Sequence, residues 1–433
     1  MSSVRATMPC MTVTYDGRAV TSDTPGFEHF VDALAPYSAP SLIVQAASTA
    51  DISRALASGI PVAVRSGGHG GFSAPDGYLL LDLSGFATIE VQGGGRVRIG
   101  TGALWGDVAH ALEPHGLALT SGDTYTVGVG GLTLGGGVGW MVRQHGLAFD
   151  SLLSAEVVLV DGRVVTASAD SEPDLFWVLR GGGGNFGVVT HFTFQAHPLA
   201  GIVTGAISLD GTDLAASLKG WRDVMRSSPA DLNVTFLVFP GAGPQLVFVY
   251  GGDDLVAADR LVHPLRELPG VTGSTIDRRR YADVLEHMEK PEGVVTMVDS
   301  NTFADDFSDD LIDSLVAAHS QFGPAVLMIR YVRGALNDVP VDATAWAHRS
   351  AEVLLISAAF LEEASDEDEA RIRSLWSTLD DRTSGMYGNF SPRTGEHVTS
   401  MMYPPATLER LRAIKRKYDP ANVLRHNHNV VPG

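Results

Sequence analysis

The chain has 433 residues, which is too long for one ordinary hydrophobic core, so the length predicts two domains or one domain with a large insertion. Its 31 basic and 50 acidic residues give a net charge of -19, which would repel a phosphate backbone and excludes nucleic acid as an expected partner. The single cysteine, Cys10, excludes an intramolecular disulfide bond and a cysteine-based zinc site.

The N-terminal region and the hydropathy of the whole chain bear on its location. Arg5, Asp16 and Arg18 interrupt any apolar run that could serve as the core of a signal peptide. No later segment is apolar over the length that a membrane span requires. We therefore expect a cytoplasmic protein with no membrane partner.

The first part of the chain alternates short strands with helices. We predict a strand over 42–44, a helix that begins after Ser48 and stops at Gly59, a strand over 61–64, a glycine-rich loop over 65–71 and a strand over 78–83. A strand over 97–99 and a helix ending at Gly116 follow. The Asp161-Gly162 turn then joins two strands in a hairpin, and a short helix over 174–179 precedes a strand over 188–194. This order predicts an α+β fold.

The sequence texture changes near Pro198. Glycine becomes sparser, and strand-like segments such as 234–239 and 246–250 alternate with acidic helices, so we interpret 198–384 as a second domain. A basic amphipathic helix follows, with Leu408, Leu411 and Ile414 on its apolar face. The polar segment 422–431 after it is more typical of packing on a ligand than of filling a core.

Glycine is the first functional signal, because the chain has 48 glycines and their excess is concentrated in three loops between Val64 and Gly187. Successive backbone N–H groups in such loops form concave sites for pyrophosphate oxygens, so the loops predict a large anionic ligand. Residues 182–187 spell the dinucleotide fingerprint G-x-G-x-x-G, but a strand follows them where that motif needs a helix. We therefore reject a Rossmann fold and leave phosphate or flavin contact open. No hydrolase elbow, zinc helix or P-loop lysine is present, and no metal site is predicted.

Five groups of residues occur in a characteristic order along the chain: 65–69, 128–131 with 135–137, 179–190, 387–390 and 427–429. Together they resemble the berberine bridge enzyme-like branch of the FAD-linked oxidases, which share the vanillyl-alcohol oxidase or PCMH-type fold. The resemblance runs from about Ser41 to the C-terminus. It implies a PCMH-type FAD-binding domain of two α+β subdomains over 1–197, and a substrate domain over 198–384 whose antiparallel sheet is flanked by helices. Residues 385–433 would form a C-terminal segment that returns to the FAD domain.

The resemblance also implies how the flavin is held. His69 would carry FAD through one covalent bond from its imidazole to the flavin 8α-methyl group, which raises the flavin's tendency to accept hydride and prevents cofactor loss. Many relatives have a second bond from a cysteine, and Thr124 stands at that place here, so one bond is expected. Val127 stands where the family gates access of dioxygen, and valine there resembles the oxygen-reactive oxidases.

Two residues are the expected catalytic side chains, and a larger group is expected to bind the cofactor. Tyr387 matches the active-site tyrosine of the family and would accept the hydroxyl proton as hydride leaves carbon. Tyr331 is the second expected catalytic residue, although strand alternation allows only one of Tyr331 and Arg330 to face the pocket. Tyr125 and His145 are weaker pocket candidates. The expected cofactor-binding residues are Arg65, Ser66, Gly67, Gly68, His69, Gly70, Ser121, Gly122, Thr126, Val127, Gly130, Gly131, Gly136, Gly137, Gly187, Val189, Asn389 and Asn427.

These expectations lead to one functional hypothesis and two alternatives. The hypothesis is a covalent-FAD oxidase that oxidises a hydroxylated small molecule, a secondary metabolite or sugar-like alcohol, and passes the electrons to dioxygen to give hydrogen peroxide. One alternative is a flavin-dependent oxygenase or cyclase that acts on a polyketide-type substrate. The other is a flavin-carrying scaffold without turnover.

Overall fold

The computed structural model describes residues 4–7, 12–21, 24–25, 27, 40–70, 77–287, 296–361 and 365–433. Cys10 and Gly71 lie outside the described residues. The described part of the chain contains three large sheets and two two-stranded ones, which pair Val4–Thr7 with Thr12–Tyr15 and Leu117–Ala118 with His197–Pro198. The arrangement confirms the predicted α+β class.

The first sheet has four strands in the order β3-β4-β6-β5 and is parallel except for β3. Helix α1 begins after Ser48, whose side chain accepts a hydrogen bond from the Asp51 N–H, as the capping pattern predicts. Ile43, Leu80 and Leu81 are fully buried, so the central strands are apolar on both faces. The elements of this region are β1 Val4–Thr7, β2 Thr12–Tyr15, β3 Arg18–Val20, β4 Leu42–Gln45, α1 Thr49–Leu56, β5 Val62–Arg65 and β6 Leu79–Asp82.

The second sheet has five antiparallel strands in the order β11-β10-β12-β8-β7. The predicted hairpin is present, because β10 and β11 pair on either side of Gly162, whose φ of 86° suits the turn. A large apolar cluster that includes Trp105, Phe192 and Phe194 packs on one face. The elements are β7 Ile89–Val91, β8 Arg96–Gly100, α2 Trp105–Leu112, β9 Leu117–Ala118, α3 Val129–Gly135, α4 Val142–His145, β10 Leu152–Val158, β11 Val164–Ser168, α5 Pro173–Val178, β12 Val188–Gln195 and β13 His197–Pro198.

The third sheet is antiparallel throughout and has eight strands in the order β17-β14-β16-β15-β20-β21-β19, with β18 beside β14. Helices α6, α7, α8 and α10 cover one face, and residues from strands and helices share a single apolar cluster there. On the other face, Phe303 and Leu354 pack in the apolar cluster of the second sheet. The elements are β14 Ile202–Leu209, α6 Leu214–Ser227, β15 Leu232–Val238, β16 Gln245–Tyr250, α7 Leu255–Arg266, β17 Val271–Ser274, β18 Asp277–Arg279, β19 Thr296–Ala304, α8 Asp309–His319, β20 Ala325–Tyr331, α9 Ala335–Asp338, β21 Val353–Leu361 and α10 Asp366–Ser377.

The C-terminal segment returns to the second sheet through helices α11 Glu396–Met402 and α12 Pro405–Tyr418. Leu408, Leu411 and Ile414 are buried in the same cluster as the second sheet, as the amphipathic pattern predicts. The segment after α12 lies beside the third glycine loop, residues 182–187. Asn185 Nδ2 in that loop donates to the carbonyl of His428, and the Val430 N–H donates to Asn185 Oδ1.

One predicted loop is a helix in the structure. The second of the three predicted glycine loops includes residues 128–131 and 135–137, yet α3 spans Val129–Gly135 and contains Gly130 and Gly131, although glycine disfavours helix. Packing overrides the propensity, since a β-carbon at Gly130 would overlap the Thr101 hydroxyl. Gly136, with a φ of 146°, and Gly137, with a φ of 92°, then end the helix in a conformation that favours glycine.

Candidate functional site

The first glycine loop is attached to the start of helix α3. Gly67 and Gly128 approach so closely that a β-carbon on either residue would overlap the backbone of the other. Ser66 Oγ donates to the Thr101 carbonyl over 2.6 Å and accepts a hydrogen bond from the Gly130 N–H over 3.3 Å. The contact explains why both loops require glycine, and it brings Ser66, Gly67 and Gly130 close together in the fold.

The tip of the same loop carries the imidazole that the sequence singles out. Arg65 is the last residue of β5, and its guanidinium covers Gly68, where a φ of 68° and a lack of space both favour glycine. His69 and Gly70 follow and are exposed. The loop therefore holds the His69 backbone in a defined place while its side chain remains accessible to a cofactor.

The segment 121–127 lies between α2 and residues 281–286. The Glu286 N–H donates to the Asp123 carbonyl, and the Tyr125 N–H donates to the Glu286 carbonyl, both over 2.8 Å. Ser121 Oγ lies 3.1 Å from the Tyr281 hydroxyl, and the Trp105 N–H donates to the Val127 carbonyl. These bonds immobilise the segment that contains Ser121, Gly122, Thr126 and Val127. The side chain of Thr124 is buried within it.

Tyr387 meets the other end of α3. Its hydroxyl oxygen accepts hydrogen bonds from the Gly137 N–H over 2.8 Å, from Asn389 Nδ2 over 3.0 Å and from the Val138 N–H over 3.3 Å. Burial raises the pKa of Tyr387, while these three donors and the charge of Arg330 oppose that effect. A β-carbon on Gly136 would lie 2.9 Å from the Tyr387 ring. The glycines after α3 therefore make the approach of this ring possible.

Asn301 positions the turn that carries Tyr387. Its Oδ1 accepts the Tyr387 N–H over 2.6 Å, and its Nδ2 donates to the Phe390 carbonyl over 3.4 Å. Asn389 in the same turn also donates to the Leu132 carbonyl in α3 over 3.1 Å. Two elements far apart in sequence, β19 and α3, thus hold the tyrosine from opposite sides.

The third glycine loop and the C-terminal segment supply further candidate contacts. Gly187, with a φ of 154°, leads into β12, where the side chain of Val189 is buried in the core, so its backbone is the part that a cofactor can contact. Asn427 has a φ of 64°, and its Oδ1 is buried without a hydrogen-bond partner among the described residues. An unpaired buried acceptor of this kind fits the N–H donor on the polar edge of a flavin ring.

The structure corrects the expectation for Tyr331. Tyr331 belongs to the apolar cluster under the helices, where its ring lies 6.2 Å from that of Trp221 in an edge-to-face arrangement. Arg330 points to the opposite face, pairs with Asp123 and lies 5.8 Å from the centre of the Trp140 ring. The catalytic assignment of Tyr331 is therefore wrong, because alternation along β20 turns Arg330 towards the site.

Tyr125 and His145 also lie outside the pocket. The Tyr125 hydroxyl donates to Asp107 over 2.7 Å, and its ring stacks on His287 at 4.3 Å. The ring of His145 stacks on that of His197 at 3.9 Å, and burial followed by the charge of His197 lowers its pKa to about 4. The Tyr125 hydroxyl is thus paired with the scaffold, whereas His145 Nε2 is buried without a hydrogen-bond partner among the described residues.

The sequence did not single out three residues that lie in or beside the site: Asp123 pairs with Arg330, Asn301 accepts the Tyr387 N–H, and Thr235 lies opposite Arg330 in the third sheet. Asp123 lies between Gly122 and Thr126, two residues that are expected to bind the cofactor, so its position in the sequence was a usable signal. Thr235 alternates with apolar residues in β15, a pattern usually taken for a solvent face, whereas Asn301 stands in the polar run 299–302 of β19. Their burial is decided by the domain that covers that face.

The described residues contain neither a membrane-spanning helix nor a metal-binding cluster. None of the described helices combines the length and the apolar character that a membrane crossing would need. Among those residues no group of three or more histidine, cysteine, aspartate or glutamate side chains could hold a metal ion.

Comparison with known proteins gives the same assignment from two directions. The model of the FAD binding domain family matches residues 40–168, and the berberine and berberine-like model matches residues 387–431. The chain is 31% identical over 433 residues to (R)-6-hydroxynicotine oxidase from Paenarthrobacter nicotinovorans, with 91% of each chain covered.

Solved structures share the whole architecture. The crystal structure of 6-hydroxy-D-nicotine oxidase from Arthrobacter nicotinovorans is 27% identical, with a TM-score of 0.85 over 97% of this chain and 98% of that one. Glucooligosaccharide oxidase from Acremonium strictum, which carries a 6-S-cysteinyl, 8α-N1-histidyl FAD, is 26% identical, with a TM-score of 0.83 over 96% and 98% of the two chains. The chain is therefore an FAD-dependent enzyme that belongs to the berberine bridge enzyme-like family of FAD-linked oxidases.

Proposed function

We propose that the chain carries FAD through a single covalent bond to His69 and oxidises a hydroxylated small molecule, with dioxygen as the electron acceptor and hydrogen peroxide as the second product. One observation carries the proposal. Helix α3 touches the loop of His69 at its first end, through Gly128 and Gly67, and the hydroxyl of Tyr387 at its last end, through Gly137. Seven residues of helix span about 10 Å, which is the scale of an isoalloxazine ring system.

The residues present fit FAD. Residues 65–70, the start of α3 and the loop before β12 would surround the pyrophosphate and the dimethylbenzene side of the ring, and Asn427 would meet its polar edge. When bound, FAD supplies a two-electron acceptor that takes hydride from the substrate carbon and returns the electrons to dioxygen. Thr124 cannot form the thioether that a cysteine would form there, so His69 is the one point of attachment. The small side chain of Val127 is consistent with access of dioxygen.

Tyr387 would hold the proton in this reaction. As hydride leaves the carbinol carbon, the O–H bond of the substrate breaks and its proton passes to the oxygen of Tyr387, which would be in the phenolate form. The N–H groups of Gly137 and Val138 and the amide of Asn389 lower the cost of the phenolate, which burial by itself would make unfavourable. Asn301 and Asn389 orient the ring, so the oxygen stays in one place during turnover.

The test is a mass and visible-absorbance measurement on the denatured, purified protein. We expect an added mass of one FAD and a yellow polypeptide in the wild type. His69→Ala should lose both, and His110→Ala, which alters an exposed histidine in the same part of the chain, should keep both. Flavin that stays attached in His69→Ala would contradict the proposal.

The fate of dioxygen separates an oxidase from the alternatives. With ¹⁸O₂, an oxidase leaves no label in the organic product and puts all of it into hydrogen peroxide, whereas an oxygenase labels the product. Slow reoxidation of the photoreduced protein in air would instead indicate a flavin scaffold.

A further inference from the structure

Thr235 and Arg330 form a pair in the third sheet, on the face opposite to the helices. They lie directly opposite each other in β15 and β20. Directly opposite residues share a face, and the alternate residues Phe236, Ile329 and Tyr331 belong to the apolar cluster on the other side. The side chains of Thr235 and Arg330 therefore both lie on the opposite face, where Arg330 pairs with Asp123.

Both side chains are buried and have an unused polar atom. Thr235 is 1% exposed and Arg330 is 3% exposed. Thr235 Oγ1 and Arg330 Nε have no hydrogen-bond partner among the described residues. Buried polar groups are nearly always paired, so two neighbouring unpaired groups on one face indicate a ligand that supplies the missing partner.

We call the surroundings of Thr235 and Arg330 the subsite, and its net charge limits which ligands can bind there. The guanidinium of Arg330 is already paired with Asp123, so the pair is neutral overall. Glu286 lies near it, and burial, followed by the charge of Asp123, raises the pKa of Glu286 while Arg330 opposes the rise. Val247, opposite Thr235 on the other side, and Trp140 make the surroundings apolar. A second anion would meet unfavourable charge here, whereas a neutral acceptor oxygen would not.

Arg330 is also linked to Tyr387 by geometry: its guanidinium lies 5.8 Å from the centre of the Trp140 ring, and Val138, two residues before Trp140, donates its N–H to the Tyr387 hydroxyl over 3.3 Å. We propose that Thr235 and Arg330 bind a neutral acceptor oxygen of the substrate, a carbonyl oxygen, through the Oγ1–H and Nε–H groups while Tyr387 faces the hydroxyl that is oxidised. The substrate class is thus a small hydroxylated ring compound with a carbonyl group, and this inference rests on the proposed function. Thr235 and Arg330 determine specificity in it.

The test compares three probes of similar shape on the flavin-containing protein as purified. Their dissociation constants are measured by the change in flavin absorbance. The probes are 4-hydroxyacetophenone, which has the carbonyl oxygen, 4-ethylphenol, which lacks it, and 4-hydroxybenzoate, which replaces it with a carboxylate. We expect the ketone to bind about three- to tenfold more tightly than either of the others, the range for one or two added hydrogen bonds.

Thr235→Val removes the hydroxyl and keeps the shape. It should reduce the preference for the ketone to less than twofold without lowering the melting temperature, because the wild-type hydroxyl has no protein partner. The matched control is Thr204→Val in the same sheet, where Thr204 Oγ1 donates to the Phe248 carbonyl over 2.7 Å. That variant should lower the melting temperature and keep the preference.

Each outcome decides the matter. Equal binding of ketone and ethylphenol, tighter binding of the carboxylate, no spectral response to any probe, or an unchanged preference in Thr235→Val overturns the subsite. If the flavin is attached and reoxidises rapidly in air, such a result contradicts the proposed subsite but not the proposed function. A chain that carries no flavin at all overturns the proposed function and the subsite together.

Discussion

Replacement of Lys415 by methionine should detach the C-terminal segment from the flavin domain. Lys415 has no exposed side-chain surface, and its Nζ donates to the carbonyls of Asn185 and Leu424 and to Asp419 Oδ2 over 2.7, 2.8 and 2.7 Å. Asp419 is equally buried and accepts the N–H groups of Val423 and Leu424. The ammonium therefore joins α12, the third glycine loop and the segment that leads to Asn427.

The magnitude follows from the charge that is left behind. Methionine keeps the apolar stem but leaves Asp419 as a buried carboxylate without a counter-ion, which typically costs about 3–5 kcal/mol. With an unfolding entropy of about 2.1 cal/mol/K per residue, a chain of this length would lose roughly 3–5 °C in melting temperature if it unfolds as a unit. Lys417→Met on the same helix is the control. Lys417 has 56% of its side chain exposed and pairs with Asp174 at 3.5 Å, a contact that contributes about 1 kcal/mol or less.

The assay is urea unfolding of both variants, together with hydrogen exchange of the Leu424 amide. Lys415→Met should shift the unfolding midpoint and speed exchange at Leu424, and Lys417→Met should do neither to a comparable degree. Adding Asp419→Asn to Lys415→Met should recover part of the loss, because it removes the uncompensated charge. Equal stability of the two single variants would refute the argument that the buried pair holds this segment.

Three further predictions concern the cofactor, the catalytic turn and acid stability. Thr124→Cys in a His69→Ala background should restore covalent flavin through a thioether, as seen by the mass of the denatured protein, and a mass without flavin would count against the placement of Thr124 beside the ring. Asn301→Ala should lower the free energy of unfolding by about 1–3 kcal/mol, because the buried Tyr387 N–H loses its acceptor, and an unchanged urea midpoint would contradict this. Burial lowers the pKa of His348 to about 4 from 6.5, so the unfolded chain takes up a proton that the folded chain refuses, and stability should fall as the pH drops from 6.5 towards 4. His348→Gln should show a shallower fall over this window in unfolding measured at several pH values, and a slope equal to that of the wild type would argue against His348 as a source.

The sequence alone determined the local elements and the family. The Ser48 cap, the Asp161-Gly162 hairpin and the apolar face of Leu408, Leu411 and Ile414 depend on contacts within a few residues, and the structure confirms them. The glycine motifs and their order could also be recognised from the sequence, because each glycine reflects a backbone constraint at its own position. The roles of the individual site residues, including the bond to His69, stay predictions until the measurements above are made.

Tertiary structure decided which side chains face the site. Thr235 and Arg330 meet because β15 pairs with β20, and Tyr387 meets Gly137 across 250 positions of sequence. The helix at Val129–Gly135 forms because close packing on Thr101 and Gly67 outweighs the poor helix propensity of glycine. Strand order, register and the cover over each sheet face are properties of the assembled chain, so a pattern of alternating residues cannot by itself say which face is buried.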